Sequence, residues 1–415
     1  MAVPAVQRAA PAGPPRALGP SSVRLGGVEG GPRVTPAPRP LRIAVVHSFY
    51  GGAVPGGENT VALDQAEALR RAGHEVHLVA ARTDELAASP LHALRCAVTV
   101  AGGPGRTPLP ALRELAPDVV HVHNLFPNFG RAWAARWTGP LVATLHNYRP
   151  LCASAVLYRD GAPCTRCPDG DRWAGLRNGC YRGSRLATLP LAWASRGGVA
   201  GDPLLRRADR LVVLSDLSRA TYGRAGVPAP RMALIPNFVP APATTTAPAV
   251  PAWVYVGRLS EEKGILELLR RWPAGVRLDV IGNGPLEKDC HAAAPAAVRF
   301  LGALDRNALR ALLPGYHGAV FTSRCYEGAV PLVYVEALAA GLPVLAFEGS
   351  SVPSAVRSEG TGAVTSWDAP LTDALHAADR IFPALREHCR AVYTRQYGER
   401  AWTARMVGLY RELIA

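Results

Sequence analysis

The segment FTSRCYEGAVPLVYVEALAAGLP, residues 321–343, decides the fold of this chain. It begins as the end of an apolar strand, turns through CYEG, and continues as PLVYVEALAAG, whose apolar spacing predicts a helix ended by glycine. Pro331 fits the first turn of that helix, where its missing N–H has no intrahelical partner to lose. A helix N-terminus after a tight loop suits a phosphate, and Glu327 and Glu336 supply carboxylates for sugar hydroxyls. The segment therefore predicts a sugar-nucleotide site.

The length and composition indicate a globular protein of two domains. A chain of 415 residues is too long for one ordinary core. A composition of 48% hydrophobic and 19% charged residues is typical of globular proteins. No apolar run reaches the ~18 residues that a transmembrane helix needs. Residues 1–40 are rich in Pro, Gly, Ala and Arg and lack the apolar core of a secretion signal. We expect a disordered leader there, or a start codon assigned too early, and a cytoplasmic protein.

The formal net charge of +14 raises the question of an anionic partner. The arginines are dispersed, without a basic run or interleaved aromatics, so a solvated basic surface is favoured over nucleic-acid binding. Anionic substrates, or peripheral contact with the inner face of a membrane that carries lipid-phosphate acceptors, fit the same charge. Lys263 and Lys288 are the two lysines among 46 basic residues, which singles them out as positions for a compact point charge.

The first half of the chain reads as a doubly wound α/β domain over residues 41–238. LRIAVVHSFY predicts a strand, GGAVPGG a loop and ENTVALDQAEALRRAG a helix, with ligand expected at the carboxyl end of the strand. Gly56 and Gly57 in that loop are predicted to face the ligand, although a simple tight turn is the alternative. His146 lies at the carboxyl end of the predicted strand VATLH. In α/β sheets, ligand-binding and catalytic residues usually lie at this end of the strands. A Pro/Thr/Ala linker follows at residues 239–251.

The second half repeats the pattern over residues 252–385 and ends in helices over residues 386–415. WVYVGRLSEEKG and VRLDVIGNGP each predict a strand followed by a glycine-containing loop. We therefore expect two doubly wound domains that face each other across a ligand cleft, with the last helices packing back on the first domain.

Four of the eight cysteines lie together in an insertion at residues 150–185. Cys152, Cys164, Cys167 and Cys180 can supply four thiolates to a tetrahedral structural Zn²⁺, because a central C-x-x-C has a cysteine about a dozen residues to either side. Four unligated thiols are the alternative, and a redox C-x-x-C is disfavoured because no thioredoxin-like context surrounds it.

These motifs together resemble the family 4 glycosyltransferases, which have the GT-B fold. The resemblance rests on residues 257–264 (GRLSEEKG), residues 282–284 (GNG) and the EG…EA motif that starts at Glu327, and in the first half on GGENTV, PDVVHVHN, TLHN, VLSDLSRATY and IPNF. It extends from about residue 41 to residue 415, and the cysteine insertion looks like one found in a subset of these enzymes. One departure stands out: eight residues separate Glu327 from Glu336, whereas the family normally has seven.

The resemblance implies retaining transfer of a sugar from a nucleoside diphosphate such as UDP or GDP, without a catalytic metal. The acceptor would be a glycan, a lipid-linked glycan or a small molecule bound by the first domain. Catalytic roles fall to Arg258 and Lys263 at the diphosphate, Glu327 at the donor sugar and His146 near the reacting carbon. Donor contacts are expected from Gly56, Gly57, Arg258, Lys263, Asn283, Gly284, Ser323, Gly328, Leu332, Val333 and Glu336, the last of these at the ribose.

Two other functions remain open from the sequence. Doubly wound sheets also occur in nicotinamide-dependent oxidoreductases, but the G-x-G-x-x-G fingerprint is missing. An inactive GT-B protein that acts as a binding or scaffold module is the second alternative, because the extra residue after Glu327 could displace its carboxylate.

Overall fold

The computed structural model describes residues 39–51, 57–241 and 249–415, and the chain from Pro40 to Ala415 forms one compact unit. Residues 1–38 of the predicted leader, the loop residue Gly56 and residues 242–248 of the predicted linker lie outside the described residues.

Two six-stranded parallel sheets organise the described residues. The N-terminal sheet contains β1 (Arg42–Phe49), β2 (Glu75–Arg82), β3 (Val119–Asn124), β4 (Leu141–Leu145), β5 (Arg210–Val213) and β6 (Met232–Leu234). The C-terminal sheet contains β7 (Val250–Val256), β8 (Leu278–Ile281), β9 (Val298–Gly302), β10 (Tyr316–Phe321), β11 (Val344–Phe347) and β12 (Gly362–Thr365). Helices cover both faces, which explains why the inner strands are almost continuously apolar.

The strand order places a crossover in each sheet. The N-terminal order is β2-β1-β3-β4-β5-β6 and the C-terminal order is β9-β8-β7-β10-β11-β12. The order reverses between β1 and β3 in the first sheet and between β7 and β10 in the second. In open α/β sheets, ligands bind outside the carboxyl ends of the strands at such points. The loops after β1, β3, β7 and β10 are therefore where a site is expected.

Sixteen α-helices connect and cover the sheets in the described part of the chain. They are α1 (Gly57–Arg71), α2 (Thr83–Leu86), α3 (His92–Val100), α4 (Leu109–Leu115), α5 (Ala174–Arg177), α6 (Arg185–Ser195), α7 (Gly198–Gly201), α8 (Pro203–Arg207), α9 (Asp216–Arg224), α10 (Ile265–Arg271), α11 (Glu287–Ala293), α12 (Arg306–Leu312), α13 (Leu332–Ala339), α14 (Val352–Glu359), α15 (Leu371–Val392) and α16 (Glu399–Ile414). Four short 3₁₀ turns occur at Ala132–Arg136, Ala229–Arg231, Glu261–Lys263 and Leu313–Gly315, and a π-helical turn at Tyr393–Tyr397 joins the last two helices. None of the helices in the described ranges is long and apolar enough to cross a membrane.

The end of the chain returns to the first sheet. Residue 386, where the sequence places the start of the terminal helices, lies inside α15, which already begins at Leu371. After the π-helical turn, α16 buries Trp402, Met406 and Tyr410 in the core beside β1. The last helix therefore ties the C-terminal half of the chain to the N-terminal sheet.

The cysteine insertion follows β4 and contains little regular structure. Its regular elements are a two-residue antiparallel hairpin, Tyr158–Arg159 with Ala162–Pro163, and the short helix α5. The insertion leads into α6, which packs against α3.

Candidate active site

The loop between β10 and α13 packs against the N-terminal sheet. Gly328 approaches the end of β4 so closely that an added Cβ would lie 2.5 Å from the carbonyl oxygen of His146. The Tyr148 hydroxyl donates to the Glu327 carbonyl at 3.2 Å, and the backbone N–H of Val330 donates to the Leu214 carbonyl at 3.4 Å. A contact between backbones from different sheets thus explains the glycine of the EG motif.

Lys263 and Glu327 form an ion pair beside this contact. The ammonium donates to Oε1 of Glu327, and the Ser323 hydroxyl donates to the same oxygen at 3.0 Å. Burial by itself would lower the pKa of Lys263, but the Glu327 carboxylate outweighs burial and raises it. The second carboxylate oxygen, Oε2, is buried and accepts no hydrogen bond within the described residues. That oxygen is free to accept from a ligand hydroxyl.

Arg258 lies at the end of β7 without a charged partner. Its side chain is exposed and forms no ion pair or hydrogen bond in the described part of the chain. The Gly-Asn-Gly turn after β8 lies against the same segment, because an added Cβ on Gly282 would be 1.9 Å from the Gly257 carbonyl oxygen. Asn283 itself is exposed, and its carbonyl accepts from the backbone N–H of Leu259 at 2.9 Å. The two glycine motifs of this half therefore form one surface beside Arg258.

The N-terminus of α13 offers unpaired donors. Pro331 precedes the helix without a capping side chain, and the backbone N–H groups of Leu332 and Val333 donate no hydrogen bond within the described ranges. Gly57, at the start of α1, is close enough that an added Cβ would be 3.9 Å from Cδ1 of Leu332. A phosphate bound here would meet helix N–H groups and the partial positive charge of the helix.

Four histidines gather at β1, β3 and β4. The Nδ1 atom of His123 lies 3.0 Å from Nε2 of His146, and the two rings stack. His121 bonds through its two ring nitrogens to the Tyr410 and Thr144 hydroxyls, at 2.6 Å and 2.7 Å. Burial lowers the pKa of His121 and His146 to about 3 and that of His47 to about 4, and it also holds the pKa of His123 well below its ordinary value. All four imidazoles are therefore neutral near pH 7.

A pocket opens next to this cluster on the N-terminal half. It has about 770 Å³ of empty space, including space open to solvent, and His123 and His146 form part of its wall. Apolar side chains such as Phe126 and Leu191 line much of the remainder, and Arg131 pairs with Asp202 at its edge. The combination of an apolar wall with two neutral imidazoles suits an uncharged or amphiphilic acceptor.

Glu336 lies apart from the Lys263–Glu327 pair. It is 6% exposed in the second turn of α13, and the Nε atoms of Arg306 and Arg310 are each 3.8 Å from its Oε1. Burial raises its pKa, and the two arginines oppose that shift. Arg306 also pairs with Asp64 of α1 at 2.6 Å, which is a further link between the two halves. Any ligand that Glu336 contacts must share it with these arginines.

The four-cysteine cluster (Cys152, Cys164, Cys167, Cys180) lines one small pocket. Burial raises the pKa of Cys167 to about 11 and also raises the pKa of Cys180, so these thiols are protonated in the absence of a metal. No group of three or more His, Cys, Asp or Glu side chains in the described residues is already arranged to hold a metal. The structure brings the predicted ligands together, but the side chains would have to turn to share an ion.

The structure thus gathers some predicted residues and adds others. Lys263, Ser323 and Glu327 form one hydrogen-bonded group, and Gly328 next to them touches the backbone of His146. Leu332, Val333 and Gly57 lie at the neighbouring helix start. Asn147, which donates to Glu58, and Tyr148 were missed, although Asn147 ends the quoted motif TLHN and Tyr148 directly follows it. The Asp64–Arg306 link has no sequence signal, because the partners are 242 positions apart.

The fold defined by these two sheets is that of the GT-B glycosyltransferases. Sucrose-phosphate synthase from Thermosynechococcus elongatus superposes with a TM-score of 0.62 at 19% identity, covering 89% of this chain and 98% of that one. The Anabaena protein HepE, solved in complex with UDP, gives a TM-score of 0.56 at 16% identity, covering 90% and 100%. At these identities the likeness concerns the fold.

Two protein-family models match the sequence and identify the family. Residues 55–241 match the model described as Glycosyltransferase Family 4, and residues 250–381 match Glycosyl transferases group 1. The chain belongs to this glycosyltransferase family. It is also 27% identical over 202 residues to WcaL of Escherichia coli K12, which is described as a colanic acid biosynthesis glycosyltransferase. That match covers 43% of this chain and 48% of WcaL, so it spans about half the length of the curated relative.

Proposed function

We propose that this protein transfers a glycosyl group from a nucleoside-diphosphate sugar to an acceptor in the pocket beside His123 and His146. The observation that supports this most is that Gly328, next to Glu327 of the Lys263–Glu327 pair, approaches the backbone carbonyl of His146 at the end of β4. The loop that carries this ion pair therefore packs against the strand end that carries His146. Such a junction is where a donor bound by one sheet would meet an acceptor bound by the other.

The diphosphate would lie between the start of α13 and Arg258. As the bond to the sugar breaks, negative charge develops on the leaving phosphate, and preorganised donors stabilise that charge best. Within the described residues, the N–H groups of Leu332 and Val333 and the guanidinium of Arg258 have no hydrogen-bond partner. Together with the ammonium of Lys263 they are the donors for this charge. These cations can take the role that a divalent metal has in other transferases, so we propose chemistry without a catalytic metal.

Glu327 would recognise the donor sugar. It neutralises Lys263 through Oε1, while Oε2, which has no partner among the described residues, could accept from a sugar hydroxyl. The extra residue of this loop lies in the segment in which Ala329 bridges to Leu214, and Glu327 still faces Lys263. His146 would approach the reacting carbon as a neutral hydrogen-bonding group, and Glu336 would reach the ribose in competition with Arg306 and Arg310. We propose retention of anomeric configuration from the family resemblance.

UDP is the first nucleotide to test, because HepE was solved with UDP and with UDP-glucose. A thermal-shift comparison of UDP with GDP would distinguish the two bases, since a ligand that binds only the native state raises the melting temperature.

The test of the phosphate assignment uses Arg258→Ala and Lys263→Met, with Lys288→Met as the matched control because Lys288 is the other lysine and is exposed. Each of the first two variants should lower donor turnover by roughly 10² or more, since each removes a charge-assisted contact to the leaving group. Lys288→Met should keep wild-type turnover. Unchanged turnover in Arg258→Ala and Lys263→Met would overturn the assignment. UDP binding without any turnover in the wild-type protein would favour the binding or scaffold function instead.

We also propose that the four-cysteine cluster holds a structural Zn²⁺. Four thiols that line one pocket match the preferred donor set of tetrahedral zinc. Burial now raises the pKa of Cys167, and a bound metal would deprotonate this thiol. The ion would hold the insertion together and would take no part in the transfer step.

A further inference from the structure

Helix α6 presents large apolar side chains to solvent. Leu186 is 84% exposed, Leu189 45% and Trp193 47%, and their spacing of three and four residues places them on one face. The opposite face is buried, as Leu191 at 5% shows. An amphipathic helix of a globular protein normally turns its apolar face inward, so this helix has a second apolar face that its own fold does not cover.

Helix α3 has the same property and packs against α6. Leu91, just before its first turn, is 53% exposed, Leu94 62% and Val98 39%, again at intervals of three and four. Trp173, 39% exposed, lies with its ring centroid 6.4 Å from that of Trp193. These side chains form the α3–α6 apolar surface: Leu91, Leu94, Val98, Trp173, Leu186, Leu189 and Trp193. They are seven of the eleven exposed large hydrophobic residues in the described part of the chain.

Within the two chain segments that contain these helices, the charged side chains are of one sign. The segments 87–113 and 172–201, which contain α3 and α6, carry arginine but neither aspartate nor glutamate. Arg95, Arg182, Arg185 and Arg196 are exposed and form no ion pair with any described residue. The Arg196 guanidinium lies 4.0 Å from the centre of the Trp193 ring. Leucine and tryptophan flanked by unpaired arginine is the composition of a helix face that inserts into an anionic lipid interface.

We propose that the α3–α6 apolar surface docks this protein on an anionic membrane leaflet. Charge complementarity selects this occupant over a second copy of the chain, because a two-fold contact through this surface would bring the same arginines together. The inner sides of the same helices, through Val100, Leu191 and Ala194, line the pocket assigned to the acceptor. Docking here would therefore bring that pocket to the membrane surface. The docking itself stands without the proposed transfer, whereas its relation to the acceptor rests on that function.

The test is sedimentation of the full chain with vesicles of phosphatidylcholine, with and without phosphatidylglycerol. We expect binding to the anionic vesicles, weakened by salt, and little binding to neutral ones. The combined variant Leu186→Ser, Leu189→Ser, Trp193→Ser should bind at least ~tenfold more weakly, since it removes the inserting side chains. A charge variant, Arg182→Gln with Arg185→Gln and Arg196→Gln, should lose the preference for anionic lipid.

The matched control replaces two exposed apolar residues elsewhere, Leu312→Ser with Ile381→Ser, which are 37% and 43% exposed in α12 and α15. It should bind vesicles like the wild type. The melting temperature of each variant, measured without ligand, monitors its folding. Unchanged vesicle binding by the α6 variant would overturn the proposal. The proposal would also be overturned if the wild type did not bind vesicles but formed a dimer, and the α6 variant were monomeric. If the α6 variant loses vesicle binding but keeps donor turnover, the result supports the docking surface independently of the proposed transfer. If the wild type binds vesicles but shows no turnover, only the proposed transfer is overturned.

Discussion

Acidification from pH 7.5 to pH 5.5 should destabilise this protein through its buried histidines, and His121 allows the effect to be isolated. Its imidazole is fully buried between Tyr410 and Thr144, and burial lowers its pKa from 6.5 to about 3. In the unfolded chain the same group takes up a proton near its ordinary pKa. Between these two values the unfolded state binds more protons, so the free energy of unfolding falls as the pH falls.

The magnitude follows from the two pKa values. At pH 5.5 an unfolded imidazole of pKa 6.5 is about nine-tenths protonated, while the folded one stays neutral. The resulting loss is RT ln 11, or about 1.4 kcal/mol, relative to pH values well above 6.5. Nearly all of this loss appears between pH 7.5 and pH 5.5. The result barely depends on the exact folded pKa, because any value below ~4.5 gives the same difference.

Other buried groups change the total but cancel in a comparison of variants. His47, His123 and His146 act in the same direction as His121, since burial lowers the pKa of each. Carboxyl groups whose pKa burial raises, such as Glu58, act in the opposite direction by binding protons in the folded state. A variant that removes one imidazole leaves all of these contributions in place.

The assay is urea unfolding followed by tryptophan fluorescence at pH 7.5 and pH 5.5. His121→Gln should be less stable than the wild type at both pH values, because it loses two buried hydrogen bonds. Its loss of stability on acidification should nevertheless be about 1.4 kcal/mol smaller than that of the wild type. The control His376→Gln removes an exposed histidine and should reproduce the wild-type pH dependence. An equal acid loss in His121→Gln and wild type would refute the reasoning.

Three further predictions concern the site and the insertion. Glu327→Gln should cut donor turnover about ten- to hundredfold while free UDP binds as before, because the carboxylate is assigned to the sugar; a silent change would show that this side chain does not contact the sugar. Gly328→Ala should lower the melting temperature and turnover, since its methyl would meet the His146 carbonyl at 2.5 Å, whereas Gly275→Ala, with open space around it, should be tolerated. Elemental analysis of protein purified without chelators should find about one zinc per chain, and donor turnover should survive mild chelation; zinc-free protein would refute the structural site.

Much of the fold could be predicted from local patterns in the sequence. The apolar strands, the glycine-ended helix around Glu336 and the repeated strand–loop–helix order depend on residues within a few positions of one another. The glycine motifs likewise predicted loops after strands, whereas the close approach of Gly282 to the Gly257 carbonyl appears only in the structure. The family resemblance then placed the second-half motifs in order, and the matching family models confirm that recognition.

The tertiary structure decided which of these residues meet and in what state. Lys263 and Glu327 are 64 positions apart, Tyr148 and Glu327 are 179 apart, and His121 and Tyr410 are 289 apart, so packing between distant elements determines each contact. The neutrality of the histidines has the same origin, because a pKa depends on burial and burial exists only in the folded core. The exposed apolar residues of α3 and α6 could likewise not be predicted from the sequence. An apolar stripe at helical spacing predicts a buried face, and only the structure shows that this one is not covered.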